Sequence, residues 1–234
     1  MKFEESVSSK VHPNDEMMNY IIKMGWSEKD YFDEGKKNAL AFQDAINQFR
    51  PSFLSGKHVL DYGCGHGRIC RNFPKLLSPS KFAVADVWDD AVNFCADEFK
   101  ATPFLITDEK TLSTYNTKFD VVLAYSVFTH LPPSSFKFNL SEVSKCLAKD
   151  GIFLFTTKGE FDAKKTKVSL DDGFHFRVNV VPNETKGRLP GSKYAEMFVT
   201  PQYVENILNS VGLKLLDHKP DWMTHQDLYV SEPL

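Results

Sequence analysis

The run His58-Val-Leu-Asp-Tyr-Gly-Cys-Gly-His-Gly-Arg-Ile-Cys-Arg71 constrains this chain more than any other segment. Val59-Leu60 reads as a short apolar strand that closes on an acid, Asp61. Gly63, Gly65 and Gly67 follow at alternate positions, and Ile69, Phe73, Leu76 and Leu77 then share one face of a helix expected over 66–77. A strand, a glycine turn and a helix in that order make a cradle. Gly63 and Gly65 lack the Cβ that holds a ligand away from main chain, and a helix start offers N–H groups and partial positive charge to an anion. The spacing narrows the ligand. A dinucleotide fingerprint, G-x-G-x-x-G, needs its third glycine at position 68, where this chain has Arg68.

Downstream, apolar strands alternate with helical patterns. Strands are expected over 58–61, 82–86, 103–106, 119–124 and 151–157, and helices over 89–99 and 135–148. Gly151 marks a turn before the last of these strands. Such alternation requires crossover connections and a mostly parallel sheet. Upstream, Asn14 or Asp15 is placed to cap a short helix ending at Gly25, and Ser27 to cap a longer one that Pro51 stops. Residues 158–199 break the rhythm with Lys, Asp, Gly and Pro and one strand-like run, 174–181. A connection that long is often a lid or binding element. Thr200-Pro201 opens a helix through Ser210, and Leu213–Asp217 and Gln226–Val230 read as a closing pair of strands. With 234 residues, one α/β domain with additions fits the length.

The blocks D-x-G-x-G-x-G, an acid after the second strand (Asp86), the Phe119-Asp strand and the Leu147-Ala-Lys-Asp-Gly-Ile turn stand in a fixed order. In that order they resemble the class I S-adenosylmethionine-dependent methyltransferases, over about residues 28–234. The resemblance implies a Rossmann-like doubly wound sheet of seven strands, order 3-2-1-4-5-7-6, ending in an antiparallel hairpin. It divides the chain into an N-terminal helical lid, 1–50, and a methyltransferase domain, 51–234, with a cap inserted at 158–199.

A methyl donor of that class carries a sulfonium, an amino-acid head and an adenosine, and each asks for a different partner. The N–H groups at the start of the helix expected over 66–77 suit the head's carboxylate, backbone carbonyls and Asp61 suit its ammonium, and Gly63, Cys64 and Gly65 are the donor-binding residues of the loop. Asp86 suits the ribose hydroxyls, with Val87 and Trp88 placed against the adenine. By resemblance, Thr107 and Asp108 contact the adenine amino group, Tyr31 of Tyr31-Phe-Asp-Glu-Gly35 reaches the donor carboxylate, and Tyr125 completes the donor site. Methyl transfer is an in-line displacement, so the protein chiefly aligns groups and excludes water. An alcohol acceptor also needs a base, worth ~10²–10⁴ in rate, and a histidine of near-neutral pKa is the natural one. His130, in Ser126-Val-Phe-Thr-His-Leu-Pro beyond the fourth strand, is the catalytic candidate. Ser126, His175 and His225 are candidates for the substrate side. His66 is expected to expose its ring near the donor, while His12, His58 and His218 have no motif context.

A net charge of −3 with mixed signs lacks the basic excess of a nucleic-acid binder or a long basic run for a membrane surface. Cys64, Cys70, Cys95 and Cys146 show no C-x-x-C spacing and read as reduced core thiols. Asp171-Asp172 with His175 is not a specific ligand pattern, and no metal is expected. No apolar stretch reaches membrane-spanning length and residues 1–20 are polar, so a cytoplasmic location is expected, with monomer and homodimer both open. The function expected is methylation of a polar small molecule, oxygen favoured over nitrogen or carbon. The lysines and arginines of the insert, from Lys164 to Lys193, read chiefly as solvated surface and secondarily as partners for an anionic acceptor. The competitors are a non-catalytic donor-binding protein and a dehydrogenase.

Overall fold

The computed structural model describes residues 7–51, 56–178 and 194–234. The chain forms two compact units, Met1–Tyr115 and Asn116–Leu234.

In the first unit, α1 (Glu16–Lys23) starts on Asp15, whose side chain accepts from the Met18 N–H. It ends at Gly25, which holds a positive φ of 85°. A reciprocal capping box, Ser27 with Asp30, opens α2 (Glu28–Phe49), which turns Tyr31, Gly35, Asn38, Ala39, Phe42 and Ile46 inward. Three parallel strands follow in the order β3-β2-β1: β1 (His58–Tyr62), β2 (Lys81–Asp86) and β3 (Thr102–Leu105). Helix α4 (Asp89–Phe99) packs on β2 and β3. The one departure here is the helix expected over 66–77. The chain makes turns through 66–69, a 3-10 turn at Cys70–Asn72, and only a four-residue helix, α3 (Phe73–Leu76). Gly67 sits at φ +80°, outside helical dihedrals, and Pro74 in α3 has no N–H to extend the ladder backward. Of the expected apolar face, Ile69, Phe73 and Leu77 are buried and Leu76 is half-buried.

In the second unit, β4 (Phe119–Ala124) pairs parallel with β5 (Leu147–Lys158) across α5 (Pro133–Cys146). Antiparallel β9 (Gln226–Pro233) lies on the other edge of β5 and pairs onward with β8 (Leu213–Met223). The expected orders 3-2-1 and 4-5-7-6 are thus met, each within its unit, the closing hairpin supplying the last two strands. Gly151 lies inside β5 rather than in a turn before it. The ladder shifts register between Phe119 and Val121, and a Cβ at Gly151 would come within 2.9 Å of the Ala148 carbonyl and 3.1 Å of that of Phe119. The insert contributes α6 (Glu160–Lys165) and the antiparallel pair β6 (Phe174–Arg177) and β7 (Glu196–Val199), which brings the described strands to nine. The strand expected over 174–181 stops at Arg177, with Val178 already in an exposed turn; residues 179–181, and Lys186, Arg188 and Lys193, fall outside the described residues. Lys158 of β5 pairs with both Gln226 of β9 and Phe198 of β7, so β7 continues the β4 side of β5. Helix α7 (Pro201–Ser210) begins on Thr200, which caps the Tyr203 N–H, as read from Thr200-Pro201. Phe155, Tyr229 and His218 stack across β5, β9 and β8 and help fill the core.

Candidate active site

The glycine bend is built from the end of β1. The Gly63 and Cys64 N–H groups both donate to the Ala85 carbonyl, at 2.7 and 3.2 Å, which pins the bend to β2. Asp86 then turns its carboxylate onto the same bend. Oδ2 accepts from the Gly65 N–H at 2.8 Å, and Oδ1 accepts from Val87 and Trp88 at 2.7 and 3.2 Å. The acid after strand two is therefore beside the glycines. Burial raises its pKa against the pull of those three N–H groups.

The alternate glycines serve different ends. A Cβ at Gly65 (φ +50°) would meet nothing within 4 Å, so bare main chain faces open space there. A Cβ at Gly67 would lie 2.3 Å from Phe99 Cε2, so that glycine exists for packing. Main chain left open at Gly65, next to an acid, is what an amino-acid nucleoside requires. Val87, half exposed, and Trp88 follow at the start of α4. Thr107 and Asp108 lie in an exposed turn after β3, where Thr107 Oγ1 accepts from the Lys110 N–H at 3.0 Å.

Asp61 is buried beneath the bend. Desolvation, with the Asp86 charge adding to it against a Cys70 hydrogen bond, raises its pKa to about 7. Cys64, Cys70 and Cys95 cluster around it as buried free thiols, and burial lifts Cys64 to about 12. Tyr31 is fully buried, and its hydroxyl donates to Asp15 Oδ2 at 2.5 Å. His66 departs from expectation: its ring is buried, not displayed, and stacks on His12 with centroids 4.6 Å apart.

The second unit holds the other candidates. His130 Nδ1 lies 2.6 Å from the Ala195 carbonyl, and its ring stacks on Tyr194. A carbonyl only accepts, so the proton sits on Nδ1 and the lone pair on Nε2. Burial dominates its titration and pushes the pKa to about 4, well below the near-neutral value expected of a base, with Lys158 adding to the fall. Ser126 (φ +59°) is held in a polar ring. Its N–H donates to Thr156 Oγ1 at 2.8 Å, Thr156 donates to Gln226 Oε1 at 2.6 Å, and Gln226 Nε2 donates back to Ser126 Oγ at 3.1 Å. The Tyr125 hydroxyl pairs with Thr224 at 2.6 Å. His225 pairs with Asp221 at 3.1 Å and stacks on Phe161, while His175 is exposed on β6. Of the insert's cations, Arg177 joins Lys158 on Glu196, and Lys164, Lys165 and Lys167 are exposed.

A methyltransferase-domain family model matches residues 34–218. The chain belongs to the class I S-adenosylmethionine-dependent methyltransferases. This methyltransferase is 30% identical to a fatty-acid O-methyltransferase of Mycolicibacterium smegmatis, over 51% of its own length and 44% of the relative's. It is 26% identical to the cyclopropane-fatty-acyl-phospholipid synthase of Escherichia coli over 80% of its length, again covering 45% of that protein. The chain thus spans about half the length of these curated relatives. Among solved structures, an S-adenosylmethionine-dependent methyltransferase from Clostridium acetobutylicum shares the fold with a TM-score of 0.62 at 15% identity, covering 83% of this chain and 92% of that one.

Sequence reasoning passed over Arg71, although the run that carries the glycine motif ends on it. Its buried guanidinium donates to the carbonyls of Gly67 (2.8 Å), Ser8 (3.1 Å) and Lys10 (3.0 Å), and lies over the rings of Tyr31, Phe32 and Phe99. It ties the N-terminal arm to the glycine bend. The only local signal was a second arginine three residues beyond Arg68. Asp15 likewise drew attention only as a cap, and Thr156 and Gln226 only as strand residues.

Proposed function

We propose that this chain transfers the methyl group of S-adenosylmethionine to an oxygen of a small molecule. The observation that carries the reading is the Asp86 carboxylate on the Gly65 N–H, where the main chain faces open space. The donor brings an already activated methyl group. The chain's own residues have to hold it and manage one proton. The N–H groups of Gly63, Cys64 and Gly65 are bonded to Ala85 and Asp86, so this bend offers the amino-acid head room at Gly65 rather than donors; Asp61 answers its ammonium, Asp86 takes the ribose and Val87 and Trp88 flank the base. His130 accepts the acceptor's proton on Nε2. The Nδ1 bond to Ala195 sets that tautomer, and burial keeps the ring neutral and ready to accept.

A second reading has one observation in its favour. A base held near pKa 4 is weak, and a carboxylate oxygen has no proton to lose. The name of the fatty-acid relative points to the same acceptor chemistry. Labelled-methyl assays with an alcohol panel and a carboxylic-acid panel separate the two. With His130→Ala, an alcohol acceptor loses ~10²–10⁴ in kcat, whereas a carboxylate acceptor loses little. Calorimetry with S-adenosylhomocysteine and with NAD tests the donor. Binding of NAD alone overturns the whole proposal, and product binding without any labelled transfer leaves a donor-binding protein instead.

A further inference from the structure

We propose that His12 and His66 form a latch that holds the N-terminal arm, residues 8–15, on the flank of the glycine bend while both rings are neutral and frees it on mild acidification. The two rings stack face to face, with centroids 4.6 Å apart and planes 6° from parallel. Phe94 of α4 packs edge-on against both. His12 thus covers one face of His66, and the docked arm itself keeps that ring from water.

Both rings are held in a form that a proton disturbs. His12 Nδ1 accepts from the Asn14 N–H at 3.1 Å, and a backbone amide only donates, so that nitrogen carries a lone pair. A proton there would face the amide hydrogen and break the bond. With the Asp15 N–H on the His12 carbonyl at 2.9 Å, that bond forms the turn leading into α1. The His66 side chain is 2% exposed, and Nε2 makes no hydrogen bond. Asp90 Oδ2 stands 3.5 Å from it and already accepts from the Asn14 side-chain amide at 3.0 Å. Desolvation lowers the pKa of His66, and His12 adds to the fall, against the pull of Asp15 and Asp90. Of the other charges along the arm, Lys10 pairs with Glu98 at 3.1 Å, and Arg71 donates to the carbonyls of Ser8, Lys10 and His66. Two stacked imidazolium rings repel with little water between them. In water an imidazole takes up its proton near about pH 6.5. The docked pKa of His66 is lowered, so docking is held in full above about pH 6.5 and is lost as pH falls, by up to about tenfold per pH unit for each proton taken up on release. Freeing the arm takes two carbonyl acceptors from Arg71, which also holds the Gly67 carbonyl, so acid loosens this side of the bend. The latch is independent of the methyl-transfer reading.

Amide hydrogen exchange on the full chain, corrected for the intrinsic pH dependence of exchange, reads the arm directly. Protection of the Asn14 and Asp15 amides is expected to fall by about tenfold or more between about pH 7.5 and about pH 5.5, while the amides of β1 and β2 hold theirs. The double variant His12→Phe with His66→Phe keeps two stacked aromatic rings that take no proton. Its arm is expected to stay protected across the same range, with unchanged circular dichroism. Ring-proton resonances of the native chain give a second measure, in which the His66 ring is expected to titrate together with the loss of arm protection. Three results overturn the proposal: equal arm protection at both pH values in the native chain, an undiminished fall in the double variant, or a His66 ring that stays neutral while the arm is lost. The third needs no variant, so it decides the matter even where a substituted arm fails to dock.

Discussion

Gly65 and Gly67 stand two residues apart, share positive φ and have opposite surroundings. Gly65→Ala places a methyl in open space and costs only the left-handed strain, about 1–2 kcal/mol. If the space takes the donor, calorimetry will show S-adenosylhomocysteine binding at least about tenfold weaker, a loss of about 1.4 kcal/mol. Gly67→Ala drives its methyl into Phe99 and is expected to cost about 2–4 kcal/mol in denaturant unfolding. Asp61 makes a pH prediction. Its folded pKa is raised to about 7, so below that pH the free protein holds a proton there. An ammonium beside it favours the carboxylate, so binding releases that proton. Product affinity should therefore tighten with rising pH, by up to about tenfold per unit below pH 7, and level off above. Asp61→Asn should flatten the profile. An unchanged slope in that variant removes Asp61 from the donor site.

Helix α2 shows how an element is placed by one residue. Its capping box starts it and its apolar stripe turns inward, both local features. Its approach to the bend depends on Gly35, where a Cβ would lie 2.3 Å from the Arg68 carbonyl oxygen. Helix propensity alone favours Gly35→Ala by about 1 kcal/mol. The clash is with backbone, which cannot step aside, so a net loss of about 1–3 kcal/mol is expected. That corresponds to roughly 2–4 °C in Tm per kcal/mol for a chain of this size. A thermal scan showing stabilisation by Gly35→Ala refutes the close packing. The same Tyr31-x-x-x-Gly35 face carries the buried hydroxyl bonded to Asp15, so the "lid" tyrosine is at the same time a core residue.

For the whole molecule, buried Asp61 and half-buried His130 pull stability in opposite directions with pH. His130 has its pKa lowered from 6.5 to about 4. Between those values the unfolded chain binds more protons than the folded one, so His130 adds stability as pH rises from 4 to 6.5 and withdraws it on acidification. The full effect is on the order of 3 kcal/mol. Asp61, raised from 3.8 to about 7, does the reverse over its own window, since the folded chain holds the proton longer. Unfolding free energy against pH is therefore expected to gain less between pH 4 and 6.5 in His130→Gln than in the native protein. Parallel curves would mean that His130 is solvated in the native state.

The order of strands and helices was legible because it rests on local physics. Periodicity, caps such as Ser27 and Thr200, and the glycine run act over a few residues, and they located α4, β4 and α7 at their observed bounds. The meeting of Asp86 with the glycine bend was legible for the same reason, since that bend and the acid after the next strand are adjacent by topology. The loss of the helix over 66–77 was only half legible. Pro74 was visible, but the positive φ of Gly67 answers to Phe99, a residue on another element. Tertiary structure alone decided the rest. The displaced titrations of Asp61 and His130, the locking role of Arg71, and the meeting of His12, His66 and Asp90 all come from burial and from contacts between distant segments. Desolvation and hydrogen-bond geometry have no signature in residue spacing, and they exist only once the chain has closed around the groups concerned.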